Sequence, residues 1–181
     1  MDYAEIDELW VFGYGSLMWR PGFNFVEKAA AKCLGYKRKF CIKSVVYRGT
    51  AENPGLVLGL DKGGNTHGMA FKIANDERAQ VLEYLRDREL VTSVYSEQIQ
   101  AIEIEGHGVV QGLVYVAIQD HKQYIGGLSL AEQAEIIAFS NGQAGAGFDY
   151  LYSTCQSLRA LNIFDPELAE LEDRVKKLIE A

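Results

Sequence analysis

Strand-type segments fill the first two-thirds of this chain, one helix interrupts them, and the last third is helical. That order excludes the strict β-α alternation of a doubly wound parallel sheet. It leaves an α+β architecture of about six short strands, a small mixed curved sheet or β-barrel with helices packed outside. With 181 residues and no internal repeat, low-complexity tract or linker, a single domain over residues 1–181 is the expected organisation.

The first strand is the most distinctive. Leu9-Trp10-Val11-Phe12 is apolar and strand-forming, breaks at Gly13-Tyr14-Gly15-Ser16, and resumes as Leu17-Met18-Trp19. Two glycines around an aromatic mean that the backbone itself is being shaped there. After a turn at Arg20-Pro21-Gly22, Phe23–Ala31 has no defined type. Cys33–Tyr47 is rich in aromatic and β-branched residues, with Gly35 as a bulge candidate and Phe40–Tyr47 as a strand. Arg48–Gly55 reads as a loop, Leu56–Leu60 as a short strand, and Asp61–Asn65 as a hairpin connection into His67–Ile73.

A helix follows, capped by Asn75 and carrying Ala79, Leu82 and Leu85 as far as about Arg88. Leu90–Tyr95 and then Gln98–Glu105 read as strand, where Ile102 and Ile104 alternate with Glu103 and Glu105 to leave one face wet. Gly106-His107-Gly108 turns the chain into a last strand, Val109–Ile118. Ser129 and Glu132 form a capping box for a helix reaching about Phe139. Asn141–Gly147 is a flexible, glycine-rich connection. A helix from about Asp149 presents Leu151, Cys155 and Leu158. Asp165-Pro166 opens a final helix with an apolar stripe of Leu168, Leu171, Val175, Leu178 and Ile179.

Composition removes several functional classes. A net charge of −7 denies the chain the basic face of a nucleic-acid binder. No apolar run approaches the roughly 20 residues of a membrane span. The start, Met1-Asp2-Tyr3-Ala4-Glu5-Ile6-Asp7-Glu8, is acidic, opposite to the basic start of a signal peptide. Cys33, Cys41 and Cys155 are odd in number and contain no C-x-x-C pair, which fits buried thiols in a reducing compartment. The expectation is a cytoplasmic protein whose partner is a small molecule, with no nucleic acid and no membrane.

Gly13-x-Gly15 begins like a dinucleotide fingerprint, but Met18 stands where a third small residue is needed and no β-α-β unit surrounds it. Ser16 lacks the G-x-S-x-G context of a nucleophile elbow. What remains is a nest of backbone N–H groups turned to one side by glycines, able to hold a carboxylate or oxyanion; the plain alternative is a tight turn serving the fold.

Glu89 closes the first helix and is followed at once by Leu90-Val91. The negative end of the helix dipole and partial burial both raise a carboxyl pKa there, as general-base work near neutral pH requires. The ordinary reading of such charges is a solvated last turn. Arg48, at a strand end, is suited to clamp a substrate carboxylate, or else forms a surface ion pair. Tyr150 opens a late helix, where a half-buried packing role is the commoner one. No His or Cys pair has metal-ligand spacing.

Together these residues resemble the ChaC-type glutathione-specific γ-glutamylcyclotransferases. The likeness lies in Val11-Phe12-Gly13-Tyr14-Gly15-Ser16-Leu17-Met18-Trp19, Tyr47-Arg48-Gly49-Thr50, Asn53-Pro54-Gly55-Leu56-Val57-Leu58, Tyr84-Leu85-Arg86-Asp87-Arg88-Glu89 and Tyr150-Leu151. It implies a small barrel decorated with helices and a cofactor-free reaction splitting glutathione into 5-oxoproline and cysteinyl-glycine. It further implies that Gly13, Tyr14, Gly15, Ser16, Leu17 and Met18 hold the γ-glutamyl group, that Glu89 is the catalytic glutamate, and that Arg48 and Tyr150 lie near the substrate. Eukaryotic members follow Arg-Glu with a lysine and glycines, whereas this chain has Leu90-Val91-Thr92-Ser93, closer to the bacterial branch. The departure removes a glycine-rich lid, for which the Gly142–Gly147 loop is a conjectural substitute. Two alternatives stay open: a cyclotransferase for other γ-glutamyl amino acids or γ-glutamylamines, and a catalytically silent γ-glutamyl-binding module.

Overall fold

The computed structural model describes residues 6–180. The first few residues of the acidic start lie outside that range. The elements run β1 (Leu9–Gly13), a single 3₁₀ turn (Ser16–Met18), β2 (Glu27–Ser44), β3 (Gly55–Ile73), α1 (Arg78–Glu89), β4 (Tyr95–Ile104) and β5 (Gly108–Ala117). They continue with α2 (Leu130–Phe139), β6 (Asn141–Gly142), β7 (Gly145–Ala146), α3 (Gly147–Ala160) and α4 (Pro166–Glu180). The chain divides into two compact units, one of residues through Arg38 with Leu60–Ile118, the other of Lys39–Gly59 with Gln119 onward. β2 and β3 each continue from one unit into the other.

The first unit holds a closed barrel in the order β1-β3-β2-β4-β5, five strands rather than about six. β1 pairs antiparallel with β3 (Val11 opposite Phe71) and parallel with β5 (Val11 opposite Leu113). β4 pairs antiparallel with β5 along its whole length and with β2 at Ala31–Cys33. Opposed residues share a face, so Trp10, Phe12, Ile102, Ile104 and Val114 fill the interior, and all five are buried. The other face carries α1. Phe23 bridges them, its ring 5.8 Å from Phe71 of β3 and 6.3 Å from Tyr84 of α1.

Several boundaries depart from the sequence reading, each for a local reason. Gly63 and Gly64 take positive φ, but they bulge one continuous strand rather than reverse it, and the expected hairpin is absent. Gly35, also at positive φ, kinks the facing stretch of β2, where its N–H meets Asn65 Oδ1 at 3.1 Å. The undefined Phe23–Ala31 segment supplies the start of β2. Leu90–Ser93 is a turn, not a strand: the Leu90 N–H returns to Arg86 O and the Ser93 N–H to Leu90 O. Asn75 does not cap α1; Glu77 holds the N-cap position, and the Asn75 amide oxygen accepts from Arg78. In α1 the buried residues are Val81, Leu82 and Leu85, with Ala79 exposed.

In the second unit α2 begins with the full capping box of Ser129 and Glu132. Asp165 Oδ1 accepts from the Leu168 N–H at 3.1 Å at the start of α4. Leu151, Cys155 and Leu158 of α3 and Leu168, Leu171 and Val175 of α4 are buried, while Ile179 is exposed. The connection expected to be flexible is the ordered β6–β7 hairpin, tied down by Gln143 and Ala144 N–H groups donating to Val46 O and Tyr47 O at 2.9 Å each. Two of its backbone N–H groups are thereby committed within the unit.

Beneath the hairpin three glycines meet. A Cβ on Gly49 would stand 2.0 Å from the Gly55 nitrogen and 2.6 Å from Ser44 O, and one on Gly142 would stand 2.5 Å from the Gly49 nitrogen. All of these are backbone atoms with no freedom to yield. Gly49→Ala is expected to destabilise the chain by about 2–3 kcal/mol, read as a lowered denaturant midpoint at unchanged slope. Wild-type stability in that variant would contradict this packing.

Candidate active site

β1 is buried along its whole length, and the chain leaving it turns sharply into the 3₁₀ turn. A Cβ on Gly13 would lie 2.9 Å from Leu17 Cβ and 3.3 Å from both Leu17 C and Met18 N, so only glycine lets the turn fold back over the strand end. The Met18 N–H donates to Gly15 O at 2.9 Å and the Arg20 N–H to Ser16 O at 2.8 Å. Amides in the opening turn of a helical segment have no partner within it, so helical bonding leaves the N–H groups that lead into Ser16–Met18 for something else. The Met18 N–H is spent within the turn, and neither Gly13 nor Gly15 takes a positive φ, so the loop offers its remaining N–H groups without the alternating backbone of a formal nest.

α1 delivers Glu89 to the same unit. The Glu89 side chain retains 18% exposure. Burial pushes its carboxyl above the ordinary carboxylate value, with the Arg88 guanidinium pulling the other way. Arg88 Nε lies 3.2 Å from Glu89 Oε1. The same guanidinium donates through Nη2 to Ser16 Oγ at 2.8 Å and through Nη1 to Arg20 O, Pro21 O and Tyr84 Oη at 2.7, 3.0 and 3.0 Å. One planar fork thus holds the nest and the carboxyl in a fixed relation. Sequence reasoning quoted Arg88 only as part of an Arg-Glu pair. Three of its partners, Ser16, Arg20 and Pro21, lie some seventy residues upstream, and two of them are main-chain carbonyls that leave no trace in side-chain pattern.

Nearby, Arg86 makes a forked ion pair with Glu97 of β4 (Nη2–Oε1 2.8 Å), and the Tyr115 hydroxyl donates to the same carboxylate at 3.0 Å. This pairing fixes the last turns of α1 against the barrel wall. A reactive thiol is not part of the arrangement. Burial pushes the Cys33 thiol up to about 11 and the Cys155 thiol up to about 12, which keeps both protonated. Among the described residues no cluster of His, Cys, Asp or Glu could hold a metal ion. Nor is any helix there long and apolar enough to cross a membrane.

Arg48 and Tyr150 lie together in the second unit. The Arg48 guanidinium carbon stands 5.5 Å from the centre of the Tyr150 ring, and its Nη1 donates to Ala146 O at 3.0 Å, just before α3. The Tyr150 ring also meets Phe40 edge-on at 5.9 Å. The structure therefore brings the predicted residues together in two groups: Gly13–Met18 with Glu89 in the barrel unit, and Arg48 with Tyr150 in the helical one.

Comparison with known proteins identifies the family and the fold. An Escherichia coli K12 protein named glutathione-specific gamma-glutamylcyclotransferase is 34% identical over 94% of this chain and 74% of its own. A Schizosaccharomyces pombe protein of the same name is 35% identical over 93% of each chain. The crystal structure of a yeast γ-glutamylcyclotransferase specific to glutathione superposes with a TM-score of 0.86, covering 94% of this chain and 96% of that one; at 24% identity it establishes the fold. A family model described as ChaC-like protein matches residues 9–178, and the chain belongs to that family.

Proposed function

We propose that this chain, as one γ-glutamylcyclotransferase-like domain, is a glutathione-specific γ-glutamylcyclotransferase with Glu89 as its general base and acid. The observation that carries the assignment is the single guanidinium that touches both Ser16 of the nest and the desolvated Glu89 carboxyl. The names of the E. coli and S. pombe relatives support glutathione as the substrate.

The chemistry asks for little else. The substrate's own α-amino nitrogen attacks its γ-carbonyl carbon, so no protein nucleophile is required. The α-ammonium first gives up one proton to solvent to free its lone pair, and Glu89 takes a second from that nitrogen as the new C–N bond forms. The γ-carbonyl oxygen becomes an oxyanion, which backbone N–H donors of the Gly13–Met18 nest stabilise; each well-aimed donor is worth roughly 3 kcal/mol. The bond from the γ-carbon to the cysteine nitrogen then breaks, and Glu89 returns the proton to that departing nitrogen. The products are 5-oxoproline and cysteinyl-glycine. Holding the glutamyl chain bent into a five-membered ring is an orientation effect that contributes on the order of 7 kcal/mol in favourable intramolecular cases. Arg48 and Tyr150 are proposed as substrate contacts on the strength of the family resemblance.

Incubating the purified chain with glutathione and, in parallel, with γ-glutamyl-alanine tests the assignment. The expected result is 5-oxoproline and cysteinyl-glycine from glutathione, with slower turnover of γ-glutamyl-alanine. Preference for γ-glutamyl-alanine or a γ-glutamylamine would move the assignment to a broader cyclotransferase. Calorimetric binding of glutathione without product over hours would replace it with a binding module.

A further inference from the structure

The nest is held from a second side, by a residue that neither the sequence motifs nor the mechanism above uses. Arg38, on β2, is a buried cation with only 9% exposure. Its Nε donates to Tyr14 O at 2.7 Å, and its Nη2 donates to His67 O. Tyr14 lies in the middle of the ligand loop, and His67 lies on β3, two positions before the Met69 that faces Gly13. A buried guanidinium spanning two main-chain carbonyls on different segments is a geometric device, because its fork is planar and its donors are fixed relative to one another.

The consequence comes from the peptide group itself. The chain has no cis peptide bond among its described residues, so the Tyr14–Gly15 peptide is trans and planar. In a trans peptide the C=O and the following N–H point in opposite directions. Pinning Tyr14 O to Arg38 therefore fixes where the Gly15 N–H points, which is away from Arg38. We infer that Arg38 is a positioning residue that aims the Gly15 N–H into the ligand nest from inside the barrel, setting the donor direction on which recognition of the γ-glutamyl group depends. Arg88 tethers the next residue, Ser16, through its side chain, while Arg38 orients the peptide plane before it. One arginine holds a main-chain carbonyl and the other a side-chain hydroxyl two residues on, so neither replaces the other. This inference rests on the function proposed above for the nest.

The test compares wild type with Arg38→Met, which keeps bulk and loses both donors, and with Arg38→Lys, which keeps the charge but cannot span two carbonyls in one plane. Two readouts are needed: the Gly15 amide resonance in a 15N-labelled sample, and kcat/KM for glutathione. Arg38→Met should displace the Gly15 resonance while those of Gly55 and Gly147, in the other unit, stay in place, and should lower kcat/KM by roughly ten- to a hundredfold. Arg38→Lys should show a smaller displacement and an intermediate rate. An unmoved Gly15 resonance in Arg38→Met, or full turnover despite a displaced one, would overturn the inference. If Arg38→Met fails to fold, Arg38→Lys decides alone, and a wild-type spectrum with wild-type turnover overturns it. Absence of turnover in the wild-type control would instead remove the proposed function, and the spectral comparison, which needs no substrate, would still judge the orientation of the peptide.

Discussion

Glu89→Gln is expected to abolish formation of 5-oxoproline while making the folded chain more stable at neutral pH. The loss of activity follows from the missing proton acceptor, since amide and carboxyl have nearly the same shape; general acid–base groups contribute roughly 10²- to 10⁴-fold to rate. The gain in stability follows from the direction of the pKa shift. Burial raises the Glu89 carboxyl above its ordinary value of 4.5, outweighing the attraction of Arg88. The folded state then holds this proton more tightly than the unfolded state does. Stability accordingly falls as pH rises from the ordinary value through the raised one, and the penalty persists at every higher pH. Replacing the carboxylate by an amide removes that penalty. Thermal melts of wild type and Glu89→Gln should coincide below pH 4 and separate at pH 7, with the variant higher. Retained turnover would refute the role of Glu89, and coincident melts at pH 7 would refute its desolvation. The same shift places the acid limb of the wild-type pH–rate profile above the ordinary carboxylate range.

Arg88→Met should lower kcat/KM by roughly a hundredfold, the scale of an ångström-sized misplacement of reacting groups. The substitution releases Ser16 Oγ, Arg20 O and Pro21 O together and removes the positive charge beside Glu89. Those losses have separate signatures. Freed carbonyls should cost about 1–3 kcal/mol of stability. Loss of the cation should push the Glu89 carboxyl further up, moving the acid limb of the pH–rate profile to higher pH. Arg88→Lys restores the charge but not the fork, so it should return the acid limb toward wild type without restoring the rate. An unmoved acid limb in Arg88→Met would show that Arg88 does not set the electrostatics of the base.

What the sequence disclosed was whatever is written locally. The Ser129–Glu132 box, the Asp165 cap, the alternation at Ile102–Glu105 and the glycine-shaped end of β1 each involve residues within a few positions of one another, and each formed as read. Glu89 was legible for the same reason, as a carboxylate at a helix end entering an apolar stretch. The failures have a common cause in the barrel. Gly63-Gly64 has the composition of a turn, yet pairing with a long neighbour made it a bulge. Leu90–Ser93 has the composition of a strand, yet its Leu90 and Ser93 N–H groups close local turns and Ser93 takes a positive φ. Arg38 and Arg88 were opaque because their partners are mostly carbonyl oxygens 20 to 70 positions away, and every residue type has a carbonyl.

The parallel pairing of β1 with β5 also bears on how the molecule is made. Trp10 must meet Gly112 to close the barrel, a contact spanning roughly a hundred residues of intervening chain. During synthesis β1 emerges roughly a hundred residues ahead of β5 and acquires its second neighbour only after β5 has left the ribosome. Until then the Gly13 loop hangs from a strand with one open edge. The loop proposed to bind the γ-glutamyl group, carried on the first strand of the barrel, is thus set in place only when the last strand arrives.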